Sequence, residues 1–198
     1  MRFNLKQTIV LVAALALGAG SVFARPTVPP AVETENTQSA TYLSGRASTL
    51  LNDIQKETAA LQLHAETLGT FSWNPHYSWQ SHALYLERVK GHINSVGESI
   101  GELQQIRQAV LPWQRQAIDQ VTGHASQVAA STQAALTHLR ESQNRLFVPE
   151  YRDHLTTIAN STEEMKETVD KFLEYEKAQR DYEEAQQKFL QLEGELAG

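Results

Sequence analysis

Five histidines and two glutamates fall where chain folding can gather them: His64, His76, His82, His138 and His154, with Glu141 and Glu150. Imidazole is the commonest side-chain ligand for transition metals, so imidazoles converging with a carboxylate form a candidate zinc or copper site. Level-matching between helices selects His64, His82, His138 and Glu141 as the metal set. Several neighbouring imidazoles also admit pH sensing, because they titrate between about pH 5 and 8. A blander arrangement competes with both. Only His82 occupies a core-facing position; His64, His138 and His154 lie one step aside, where a polar, aromatic bundle end leaves histidine half in solvent.

Other chemistry is excluded more firmly. The chain has no cysteine, which removes disulfides, thiolate zinc sites, thiol nucleophiles and cysteine-linked lipid anchors. It has no Gly-rich phosphate loop, no G-x-S-x-G and no H-E-x-x-H. The Glu-x-x-His pair that di-metal bundles use twice is absent too. Glu150 and His154 are four apart, a pairing common by chance, and Glu98 and Glu102 belong to a polar face. The expectation is a protein that is not an enzyme and needs no cofactor. The formal charge of −6 argues against nucleic acid, whose phosphates demand clustered Lys and Arg.

The elements that position these residues are marked by proline. Pro75, Pro112 and Pro149 are spaced 37 residues apart, and each is followed within two positions by an aromatic: Tyr77, Trp113 and Tyr151. Proline suits the first turn of a helix, where its missing N–H has no intrahelical partner. Asn74-Pro75 reads as an N-cap followed by the first helical residue. The spacing predicts four helices, about 39–69, 75–110, 112–146 and 149–193. Apolar residues then recur at alternating steps of three and four. The first seam is Ala47, Leu51, Ile54, Thr58, Leu61, Ala65 and Leu68. The second runs Trp79, His82, Leu86, Val89, Ile93, Val96, Ile100 and Leu103. The third runs from Ile118 through Val121, Ala125, Val128, Thr132, Ala135 and Leu139 to Ser142 and Leu146. The fourth is Tyr151, Leu155, Ile158, Thr162, Met165, Val169 and Phe172.

No period-two stretch supports a strand. Short connections between such seams predict an all-α, up-down-up-down four-helix bundle. The competing architecture is a spectrin-like array in which Leu111-Pro112 kinks one long helix. Pairing about Leu111-Pro112 brings Gly97 and Gly101 level with Ser126 and Gly123, which predicts close backbone approach there. It also sets His82 against Glu141 and Tyr85 against His138.

The N-terminus reads as an export signal. Arg2 and Lys6 precede an apolar run from Ile9 to Leu17, and Val22-Phe23-Ala24 ends in a small-x-small cleavage pattern. The run is too short to span a bilayer. The expected organisation is therefore a secretory signal peptide over 1–24, a Pro-rich flexible linker over 25–38 and the bundle over 39–198. Such a protein is secreted or periplasmic, with no stable membrane span after cleavage. Residues 161–198 hold 5 basic and 11 acidic side chains, so the acidity belongs to the last helix.

That helix outruns its seam. Beyond Phe172 the apolar set becomes Tyr175, Ala178, Tyr182, Ala185, Phe189 and Leu192, after an irregularity that rotates the apolar face. Glu167 to Lys171, Glu176 to Arg180 and Glu184 to Lys188 support a solvated coiled-coil-like helix. Level-matching ends the bundle near residue 184, with Phe189 and Leu192 beyond it. Tyr182, Phe189 and Leu192 are the candidate interaction residues, for the 25–38 linker, a second subunit or another envelope protein.

The stretch from WQSHALYLERVKGHIN through LPWQRQAIDQVTGH resembles a family of exported bacterial α-helical proteins with no assigned activity. The resemblance implies export and helices, and it transfers no catalytic residue. The expected function is thus a structural or protein-interaction role in the cell envelope; the alternative is a metal- or small-ligand-binding bundle using the histidine-rich end.

Overall fold

The computed structural model describes residues 31–74, 76–143 and 145–196, with side-chain surroundings from Thr41 to Glu195. The expected signal over 1–24, the linker residues 25–30 and Pro75 lie outside the described residues. The fold is all-α. Its helices are α1 (Ala31–Phe71), α2 (Trp79–Ile106), α3 (Pro112–Glu141) and α4 (Pro149–Leu196). Helix α1 packs on α2 and α4, and α3 packs on the same two, so α1 and α3 sit diagonally. Among the described residues no helix is long and apolar enough to cross a membrane.

The seams form the core. Each position of the first, from Ala47 to Leu68, is buried. The second is buried from His82 to Leu103, the third from Ile118 to Leu139 and the fourth from Tyr151 to Val169, at the three-four spacing. Apolar burial at about 25 cal/mol per Å² makes this one continuous stripe per helix the main stabilising term. Contacts across each pair climb one helix while descending the next. Arg46 pairs with Glu102, and His92 with Glu57, between α1 and α2. Arg107 meets Asp119 between α2 and α3. Gln127 meets Ser161, and His124 meets Glu164, between α3 and α4.

Several boundaries differ from the expected ones, for local reasons. Helix α1 begins at Ala31, so residues 31–38 are helical rather than linker. Helix α2 begins at Trp79, not 75: the Asn74 side chain accepts from the His76 amide at 3.0 Å and closes a turn. Ser78 then takes over as N-cap, accepting from the Ser81 amide. Helix α2 stops at Ile106 rather than 110, where the Ala109 amide bonds back to the Ile106 carbonyl.

Helix α3 does start at Pro112, and Gln114 makes the start an anchor. Its amide oxygen accepts from the Leu111 N–H at 3.1 Å and from the Ser44 hydroxyl at 3.0 Å. Its NH₂ donates to the Ser44 carbonyl at 2.9 Å. Helix α3 ends at Glu141, five residues before the expected 146. The Ser142 amide caps the His138 carbonyl at 2.8 Å, and the His138 ring donates from Nε2 to the Arg145 carbonyl at 2.9 Å. That hydrogen bond turns the chain, and Pro149 opens α4.

The glycine expectation is corrected. A Cβ placed on Gly97, Gly101 or Gly123 would meet nothing within 4 Å. The small residues do not draw α2 and α3 together; they leave an open groove lined by Gly97, Ala125, Ser126 and Ala129.

Candidate functional site

Two regions carry the residues that sequence reasoning singled out. The first is the end of the bundle where α1 closes, α2 opens, α3 closes and α4 opens. Phe71, at the last turn of α1, stacks on Tyr77 at 3.9 Å and meets Tyr85 and His82 edge-on at 5.1 and 5.5 Å. His82 is fully buried, and its Nδ1 lies 3.0 Å from the hydroxyl of equally buried Tyr151. Its Nε2 has no partner among the described side chains. Burial lowers the His82 pKa from 6.5 to about 4, because an imidazolium there would surrender its hydration. Burial likewise raises the Tyr151 phenol. Both groups stay neutral, and their hydrogen bond spans the core between the diagonal helices α2 and α4.

The proposed metal set is not assembled. His82 meets the Tyr151 hydroxyl and His138 stacks on the Tyr151 ring, with ring centroids 5.6 and 5.0 Å from it. His64 lies further along the same aromatic chain, edge-on to Tyr85 at 5.6 Å and stacked on His92 at 5.3 Å. Burial, then the neighbouring His92 and Arg88, lower its pKa. His92 is held by Glu57 at 2.8 Å. Glu141 is exposed at the end of α3. Among the described residues no group of three or more His, Asp or Glu could hold a metal ion.

In place of the expected His82–Glu141 and Tyr85–His138 meetings, His82 bonds Tyr151 and Tyr85 meets His64 edge-on. Across α3 and α4, joined between Glu141 and Pro149 rather than between 146 and 149, His138 comes level with Tyr151. A fold-back point moved by three or four residues shifts every partner across it by about twice that, roughly two helical turns. Phe71, Glu57 and His92 were missed. Phe71 was legible as the next step of three beyond Leu68. Glu57 and His92 lie off the seams, and only the true turn position sets them level. On the outer side, the Arg152 guanidinium covers the Trp73 ring at 4.4 Å, a cation–π contact at an exposed indole.

The second region is the opposite end. Trp113 stacks on Phe172 at 6.4 Å and meets Tyr175 edge-on at 5.6 Å. Between them and α1 runs a groove of about 800 Å³, lined by Ser44, Ser48, Trp113, Tyr175 and Arg180 among others. The small α1 residues there leave the space. Beyond Glu176, every described residue of α4 to Glu195 is exposed. Tyr182, Phe189 and Leu192 are 66%, 60% and 58% exposed, and Leu190, which sequence reasoning passed over, is 60% exposed. Core packing thus ends near Phe172 and Tyr175, earlier than the expected 184, because the earlier end of α3 shifts its register on α4 and brings Trp113 level with Phe172 and Tyr175. The projecting apolar stripe is correspondingly longer.

Comparison with protein-family models, with curated proteins and with solved structures returns no match. The functional reading therefore rests on the chain's own geometry.

Proposed function

We propose that this chain is an exported, non-catalytic helical-bundle protein that acts by protein–protein interaction in the cell envelope, through the C-terminal part of α4. The observation that carries the reading is the exposure of Tyr182, Phe189 and Leu192 on a helix that continues past the core. Aromatic and aliphatic groups in a contiguous exposed stripe are the usual mark of a contact surface. Export is supported by the basic, apolar and small-residue segments of 1–24. Protein recovered from the envelope should have an intact mass starting at or near Arg25; a retained N-terminus refutes cleavage. For the interaction itself, residues 185–198 are deleted and the native and shortened chains compared for mass in solution and for envelope partners captured. If neither quantity changes, the reading is wrong.

A further inference from the structure

We propose that the exposed stripe of α4 pairs with the same stripe of a second copy of this chain, as an antiparallel two-helix coiled coil. This names the partner in the interaction proposed above and rests on that reading. Tyr175, Ala178, Tyr182, Ala185, Phe189 and Leu192 follow steps of three and four without a break, the repeat that keeps one seam facing a partner helix. Within the chain Tyr175 meets Trp113 edge-on, and nothing described covers the stripe beyond it. Of these residues only Tyr175 lines the groove toward α1, and the large ones beyond it are more than half exposed.

The side chains are self-complementary in one orientation. A two-fold axis midway between Glu183 and Glu184 sets Tyr175 opposite Leu192 of the second copy, Ala178 opposite Phe189 and Tyr182 opposite Ala185. Both alanines then face a ring, which lets the helices approach and fill the seam over about 25 Å of helix. Parallel pairing in register would set Tyr on Tyr and Ala on Ala, alternating crowding with voids. Charge does not decide between the two orientations, which the seam does. Asp181 comes opposite Lys188 of the second copy, and the symmetry repeats the pair. Gln179 comes opposite Gln186, also twice. Another contact opposes the antiparallel choice: by the same flanking rule Glu174 comes opposite Glu195 of the second copy, also twice, whereas parallel pairing would set Lys188 beside Glu193. The acidic polar face disfavours a lipid surface, which interfacial helices meet with Lys and Arg.

The test is sedimentation equilibrium of the chain beginning at Arg25, over an approximately hundredfold concentration range. The expected result is a reversible dimer. Tyr182→Glu and Phe189→Glu should each weaken it at least about tenfold, with helical circular dichroism unchanged because both sites are exposed. Asp181→Lys and Lys188→Asp should each weaken it, and the double exchange should restore it. A parallel dimer would not be rescued by the exchange, since there the carboxylate introduced at position 188 would meet Glu193. A chain that stays monomeric throughout, or an exchange no better than its single variants, overturns the proposal. Monomers whose capture of an envelope protein still depends on 185–198 refute self-pairing and leave the broader reading standing. If the deletion alters neither mass nor capture, both fall.

Discussion

Acidification from pH 7 to pH 4 should cost the bundle about 3 kcal/mol through His82 alone. In the unfolded chain this imidazole takes a proton near 6.5; in the core it resists to about 4. Between those values the unfolded state binds the extra proton, so stability rises with pH across the window. The contribution is complete above about 6.5 and is lost as the pH falls toward 4. At about 1.4 kcal/mol per unit, the separation gives that figure. His64, lowered by burial and by His92 and Arg88, acts in the same direction. Carboxylates also titrate at the acid end, so the His82 share must be isolated by substitution. His82→Phe alone strands the Tyr151 hydroxyl and should cost about 1–3 kcal/mol at neutral pH. His82→Phe with Tyr151→Phe removes both partners of the 3.0 Å hydrogen bond and should be nearly neutral there. Urea unfolding followed by helical circular dichroism at several pH values then compares native and double-variant chains. The native chain should lose about 3 kcal/mol more between pH 7 and pH 4. Parallel curves would refute the reasoning, as would an NMR titration of His82 with an ordinary midpoint.

Other outcomes follow from single positions. Gly97→Ala, Gly101→Ala and Gly123→Ala should each stabilise by about 0.5–1 kcal/mol, since no neighbour lies within 4 Å of the added methyl. Thermal midpoints should rise by about 2–4 °C per kcal/mol, and a fall would mean that the helices do meet there. Thr162 buries a hydroxyl with no partner among the described side chains; Thr162→Val should stabilise by about 1 kcal/mol in urea unfolding. Gln114→Ala unties the start of α3 from Ser44 and should cost about 2 kcal/mol or more, against little for exposed Gln104→Ala. Because His82 Nδ1 is held by the Tyr151 hydroxyl and His138 Nε2 by the Arg145 carbonyl, a calorimetric zinc titration should show no binding heat that His82→Ala abolishes.

The helices and their inward faces were legible because both are local. A residue at the three-four spacing, such as Leu51 or Val121, is committed to the core whatever packs against it. Pro112 and Pro149 marked true helix starts for the equally local reason that proline lacks an N–H. The stripe from Tyr182 to Leu192 was visible in the same way, and its exposure followed from having no seam left to join.

What sequence could not supply was register. His138 looked like a ligand, yet its ring holds the Arg145 carbonyl and ends α3 at Glu141. That one hydrogen bond moves the turn, and with it the partner of every residue on both arms. Asn74 does the same before α2 by closing a turn that a proline count reads as helix. Composition and periodicity therefore determined that this chain makes four amphipathic helices, which residues line them and where the last one runs past its seam. Only the tertiary structure decided that His82 faces Tyr151, that Gly97 faces open space and that His64 stacks on His92 rather than meeting His82. Periodicity fixes the angle of a side chain around its helix; its height against a neighbour is set by turn geometry, where a shift of a few residues is doubled across the fold-back.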